Sequence, residues 1–222
     1  DFQQPELMLR DPLHIAEQVS TLAIGPGLGS SAVAVDLLQQ ALRTEVAVIL
    51  DADALNLLAC DAALQALARS RSSPTLMTPH PAEAARLLSS SVVEIQADRV
   101  RSARELARSF GALVVLKGCG SIIATPDGRW YINRSGHPGM ATAGMGDVLT
   151  GLVASLLAQH WPPVEALIAA THLHGAAADR LAREGIGPVG LVASEVIEAA
   201  RGVYNGWVVL AAQPPGSPSG TA

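Results

Sequence analysis

Gly136-His137-Pro138-Gly139-Met140-Ala141-Thr142-Ala143-Gly144-Met145-Gly146-Asp147-Val148-Leu149-Thr150-Gly151 runs glycines and small side chains up to one carboxylate, then continues into the apolar, helix-periodic Leu152-Val153-Ala154-Ser155-Leu156-Leu157. Glycines let backbone approach a ligand closely, and the free amides at a helix start attract anions, phosphate above all. The pattern predicts a helix over 146–159 with an anion-binding turn in front of it. A carboxylate inside such a turn is electrostatically awkward. Asp147 is therefore either a helix cap or a base set beside a phosphate.

Outward from this stretch, two apolar periods alternate. Short runs bounded by turn residues read as buried strands: Thr21–Ile24, Val46–Leu50, Thr75–Thr78, Leu113–Leu116 and Ser121–Ala124. Stretches with the 3.6-residue period read as helices: Ser31–Leu42, Ala62–Ser70, Pro81–Leu88, Arg99–Phe110, Val164–Glu184 and Leu191–Asn205. The strands before residue 117 are apolar on both faces, which suits a parallel sheet covered by helices. Trp130-Tyr131-Ile132, after the Asp127-Gly128 turn, is expected to pair with Ser121–Ala124 as a hairpin. The fold expected is three-layer α/β, one domain over residues 1–210 with a disordered tail over 211–222. The first strand starts only near Thr21, so a preceding strand is expected to be missing.

Composition narrows the partners. The net charge is −5 and no Lys or Arg run occurs, which argues against nucleic acid. No apolar run has membrane-spanning length, and Asp1-Phe2-Gln3-Gln4-Pro5 lacks signal-peptide architecture, so a cytoplasmic protein without membrane contact is expected. Cys60 and Cys119 form no framework and no metal spacing, and two free thiols are expected.

Ligands of open α/β sheets bind beyond the carboxyl ends of the strands, where four further loops fall. Asp51-Ala52-Asp53-Ala54-Leu55-Asn56 follows a strand. Asp53 there reads equally as the cap of a helix starting at Ala54 or, with Asp51, as part of a water-mediated magnesium shell. Thr78-Pro79-His80-Pro81-Ala82-Glu83 is a strand end, a rigid turn and a helix start. Its His80 is structural or a ligand contact, and Glu83 suits the helix dipole. Gly25-Pro26-Gly27-Leu28-Gly29-Ser30 does not match the dinucleotide spacing. Lys117-Gly118-Cys119-Gly120-Ser121 suits a nucleotide phosphate or ribose, or a plain hairpin turn. His172 and His174, two apart on a helix, face different sides and are no metal pair. No Walker A, G-x-S-x-G or H-E-x-x-H pattern occurs.

In order and spacing these segments resemble the nucleotide-dependent NAD(P)H-hydrate dehydratases of the ribokinase-like superfamily, from about Pro5 to about Val203. His-Pro-Gly-Met-Ala-Thr-x-Gly-x-Gly-Asp-Val-Leu-Thr-Gly and Thr-Pro-His-Pro-x-Glu carry the resemblance, and Asp-Ala-Asp-Ala-Leu-Asn adds to it. It implies a ribokinase-like fold, mainly parallel, that repairs damaged cofactor. Water added across the nicotinamide C5–C6 bond of NADH or NADPH is removed from the S epimer at the expense of ADP, or of ATP. Phosphoryl transfer to the C6 hydroxyl makes a leaving group that the ring nitrogen can expel. On this resemblance Asp147 is the catalytic base, and Gly27, His80 and Asp147 contact the hydrate. Lys117, Gly118, Cys119, Gly120, Ser121 and Gly146 contact the adenine nucleotide, and Glu83, Asp51 and Asp53 are the candidates for Mg2+. A homotetramer and an epimerase partner, as domain or protein, are also implied. His137 stands where asparagine is usual, and Ala143 where glycine is common. On the same resemblance, the family's first strand and glycine-rich loop are expected to be missing ahead of Pro5. A small-molecule kinase of the same fold and a non-catalytic nucleotide-binding module are the alternative readings.

Overall fold

The computed structural model describes residues 19–212. The segment matching Pro5–Met8 and residues 213–222 of the expected tail lie outside the described residues, while Ala211, the first residue of that expected tail, ends a helix. Six strands form one sheet in the order β1-β2-β3-β4-β5-β6: β1 Thr21–Ile24, β2 Ala47–Leu50, β3 Thr75–Met77, β4 Leu113–Leu116, β5 Ile122–Ala124 and β6 Trp130–Ile132. β1 to β4 are parallel, with Leu22 opposite Val48 and Leu50 opposite Met77, and β4, β5 and β6 are antiparallel. The expected hairpin is present, turning through Gly128 at φ 93°.

Spatial order equals chain order in the parallel part. Successive crossovers of one hand moving in one direction must lie on one face. There lie α1 Ala32–Arg43, α2 Ala52–Cys60, α3 Ala62–Ser70, α4 Pro81–Leu87, α5 Val92–Ala97 and α6 Arg99–Phe110. After the hairpin the chain crosses over and covers the other face with α7 Met145–Ala158 and α8 Pro163–Arg183. The last helix, α9 Ala193–Ala211, packs on α7 and α8.

The two-residue period of the strands divides the core. Val48, Leu50, Met77, Val114 and Leu116 face the first helix layer, while Ile49, Leu76 and Val115 face α7 and α8. Each such side chain is almost fully buried, contributing about 1.5–3 kcal/mol in transfer terms. Alanine supplies much of the helix contact surface, as in Ala166, Ala170, Ala177 and Ala178 of α8, so the layers approach closely.

Three expectations need correction. β1 is not buried on both faces: Ala23 is exposed, because β1 is an edge strand among the described residues. α2 starts at Ala52 and not at Ala54, so Asp51 occupies the N-cap position. α5 was not anticipated, although Ser91 and Glu94 form a capping box that marks its start.

Candidate active site

Every loop singled out in the sequence leaves the same edge of the sheet, where β1 to β4 end. The β1–α1 turn is fixed by Gly25, at φ 134°, where a Cβ would sit 1.7 Å from the Asp51 carbonyl oxygen. Gly27 lies at the exposed tip of this turn with φ 67°. The Gly29 amide donates to Asp53 Oδ2 at 2.8 Å. Asp53 is thus neither a cap nor near a metal cluster: it ties the first loop to α2.

Asp51 is 1% exposed and makes no side-chain cap bond. Its carboxylate turns inward instead. Oδ1 accepts from the Lys117 ammonium at 2.7 Å, and Oδ2 accepts from the Thr150 hydroxyl at 2.8 Å. The next residue, Ala52, has φ 47°, a left-handed conformation that costs a non-glycine residue about 1–2 kcal/mol. Strain of this kind gathers at functional sites.

At the end of β3, His80 caps α4. Its Nδ1 accepts from the amides of Ala82 and Glu83, and its own amide donates to Glu83 Oε2 at 2.7 Å. Since Nδ1 accepts, the proton sits on Nε2, which faces Glu83 Oε1 at 3.2 Å. Burial, then the positive charges of Lys117 and Arg86, push the His80 pKa down, which favours this neutral form. Burial raises the Glu83 pKa, opposed by the His80 amide and Lys117. Lys117 Nζ stands 4.0 Å from Glu83 Oε2, so one ammonium joins the ends of β2, β3 and β4.

The loop after β4 is held by two devices. Ser121 Oγ donates to the Gly118 carbonyl at 3.1 Å and accepts from its amide at 3.3 Å, closing the turn. Arg99, which the sequence reading did not single out, donates to the carbonyls of Leu116 and Cys119. A Cβ on Gly118 would meet that guanidinium at 2.7 Å. Lys117 to Ser121 is thus the turn of the β4–β5 hairpin, held in one shape by Ser121 and Arg99.

Gly144, at φ 82°, is the N-cap of α7. Asp147 is exposed in the first turn and makes no hydrogen bond or ion pair among the described residues. The capping reading of Asp147 is thereby set aside. A Cβ at Gly146 would lie 3.2 Å from Lys117 Nζ and 3.5 Å from Asp51 Oδ2, so the start of α7 rests directly on the Lys117–Asp51 pair. A groove of about 510 Å³ runs from Asp147 between α7 and α9, walled by Leu152, Leu156, Ile197 and Tyr204.

The approach to α7 is pinned to α8. Gly136 N donates to Asp179 Oδ2 at 2.9 Å, Ser135 Oγ donates to the His172 carbonyl at 2.9 Å, and His137 Nε2 meets the Ala178 carbonyl at 3.0 Å. His137 Nδ1 also accepts from Gly139 N at 3.0 Å, so this ring is a brace. Asp179, and Gly175, where a Cβ would lie 2.3 Å from Ser135 Oγ, carry no signal in the sequence, since nothing local marks a helix face as the seat of a distant loop. His172 stacks on Trp207 while His174 is buried, which places the two on different sides as expected.

The three carboxylates proposed for magnesium are each engaged by protein groups, Asp51 and Glu83 around the same Lys117 ammonium. Asp51 has both oxygens engaged, Asp53 serves Gly29, and Glu83 serves His80. No group of three or more potential ligands occurs among the described residues. Cys60 and Cys119 are free and exposed, as expected.

Comparison with known proteins agrees with this geometry. A family model described as NAD(P)H-hydrate dehydratase matches residues 2–200. An ADP-dependent (S)-NAD(P)H-hydrate dehydratase of Neisseria meningitidis serogroup B is 46% identical over 205 residues, covering 90% of this chain and 69% of the relative. A bifunctional NAD(P)H-hydrate repair enzyme of Moorella thermoacetica is 48% identical over 177 residues, 78% of this chain, and the chain spans 33% of that longer protein. Among solved structures, an ADP/ATP-dependent NAD(P)H-hydrate dehydratase of Bacillus subtilis, co-crystallised with ATP/Mg2+ and soaked with CoA, superposes with TM-score 0.79 at 31% identity. That match covers 92% of this chain and 75% of the other, and the fold is the ribokinase-like one. The chain belongs to the NAD(P)H-hydrate dehydratase family.

Proposed function

We propose that this chain carries the ADP-dependent dehydration of the S epimer of hydrated NADH and NADPH, with Asp147 as the general base. The observation that carries the reading is the freedom of Asp147: a carboxylate in the first turn of α7 with no hydrogen-bond or ion-pair partner among the described residues, next in the chain to the Gly146 backbone that packs on the Lys117 ammonium.

The chemistry follows from charge. Hydroxide leaves poorly, so the C6 hydroxyl attacks the terminal phosphorus of ADP as Asp147 takes its proton. The P–O bond to AMP breaks, and negative charge develops where the amides of Ala143 to Gly146 and the Lys117 ammonium converge. The nitrogen lone pair of the dihydronicotinamide ring then expels phosphate, and the C5 proton is lost to restore the ring. Gly27 and His80 line the hydrate side. Gly118, Cys119, Gly120 and Ser121 present backbone to the nucleotide. Asp51, Asp53 and Glu83 are the candidates to hold magnesium through water, and the ion would neutralise part of the charge of the nucleotide phosphates.

Purified protein mixed with hydrated NADH, magnesium and ADP is expected to regenerate the near-ultraviolet absorbance of reduced nicotinamide, releasing one AMP per turnover. A stable phosphorylated product without that absorbance overturns the reading in favour of a small-molecule kinase. ADP binding without turnover favours a non-catalytic module. Running NADPH-hydrate and ATP in parallel fixes the preferences. No helix among the described residues is long and apolar enough to cross a membrane. Light scattering tests the homotetramer, and epimerase activity supplying the S form is the expected partner.

A further inference from the structure

We propose that Asp51 and Thr150 are positioning residues that hold the Lys117 ammonium over the first turn of α7 as the fixed cation of the phosphate subsite. The proposal rests on the functional reading above but is carried by a separate set of contacts.

Lys117 is the only lysine in the 222 residues, every other cationic side chain being arginine. A planar guanidinium spreads its charge, whereas an ammonium is a compact point charge on a flexible stem. Compactness is what this position requires. The ammonium lies between the buried Asp51 carboxylate at 2.7 Å, Glu83 at 4.0 Å and the Gly146 backbone, where a Cβ would press on it at 3.2 Å. A flexible stem would let it wander unless its anchor were rigid.

The anchor is made rigid from α7 itself. Thr150 is 3% exposed and donates to the one Asp51 oxygen that Lys117 does not use. With both oxygens occupied, the carboxylate has a single orientation. Thr150 lies three residues after Asp147, on the next turn of the same helix. One hydrogen bond therefore sets the ammonium, the helix-start amides and the base in a common frame.

Thr150→Val keeps the shape and removes the donor, while Thr150→Ser keeps the donor. In Thr150→Val, calorimetric ADP binding is expected to weaken by about 10-fold or more, the scale of losing a hydrogen bond to a charged group. The KM for the hydrate is expected to stay unchanged, and Thr150→Ser to restore ADP binding to within about twofold. Unaltered ADP binding in Thr150→Val, or equal loss in both variants, overturns the proposal. Isotope labelling of lysine gives a direct readout on the unmodified protein, because a single side-chain ammonium signal belongs to Lys117. ADP is expected to shift that signal, and a signal indifferent to saturating ADP overturns the proposal whatever the variants do. Wild-type protein that binds ADP with these responses but never regenerates reduced cofactor removes the functional reading and leaves this one standing.

Discussion

Asp147 and His174 show how two ionisable side chains on neighbouring helices take opposite parts. Asp147 is exposed in the first turn of α7 and has no hydrogen-bond or ion-pair partner among the described residues, so its carboxylate is available to take a proton. Asp147→Asn should lower kcat by about 10²–10⁴-fold, the usual worth of a general base, with the melting temperature unchanged. Unaltered turnover would remove it from the mechanism. His174 is buried in α8, its Nε2 has no partner among the described residues, and burial, then Lys117, lowers its pKa to about 4. The folded state thus resists protonation where the unfolded chain, titrating near 6.5, accepts it. Stability is fully present above about pH 6.5 and falls by about 3 kcal/mol as pH drops towards 4. His174→Leu should flatten that decline in denaturation curves at pH 7.5 and pH 5 without destabilising the protein at pH 7.5. An equally steep decline in the variant would assign the acid sensitivity elsewhere.

Among the elements, the legible ones carried their own signals. The helix α6 begins after the capping Asp98 and ends at Gly111 in the left-handed conformation, and its bounds match the periodicity to the residue. The strands β1 and β4 do so as well. The start of α2 was misplaced because either aspartate can cap, and local chemistry cannot choose between them. The choice was made by Lys117, 66 residues away, which drew the Asp51 carboxylate inward. Arg99 was invisible for the same reason: as the first residue of a helix it looks like a solvated charge, yet it braces the loop after β4. Arg99→Ala should raise the KM for ADP by about 10–100-fold, since loosening a binding loop by an ångström costs rates of that order. The KM for the hydrate should move much less. Equal effects on both would mean that Arg99 supports the whole edge and not this loop.

At the scale of the whole molecule, two helix layers clamp a sheet whose alternate residues serve different faces. Ile49 shows the dependence most directly: it is fully buried beneath α7 and α8, while its neighbours Val48 and Leu50 serve the opposite layer. Ile49→Ala should cost about 2–5 kcal/mol in chemical denaturation, since the adjacent layers cannot both collapse into the cavity. A loss below about 1 kcal/mol would show that this side of the core repacks freely. Because α7 rests on that face and carries Asp147, part of the loss should also appear as lower turnover. The apolar periods, the glycine-rich approach to Asp147 and the proline-flanked His80 determined the fold class, the hairpin and the family from sequence alone, since each depends on residues close together in the chain. The partners of Asp51, the bracing of the loops by Arg99 and Asp179, and the engagement of Asp53 and Glu83 by Gly29 and His80 were decided only in three dimensions. They arise from side chains tens of residues apart competing for the same buried polar partners at the ends of the strands.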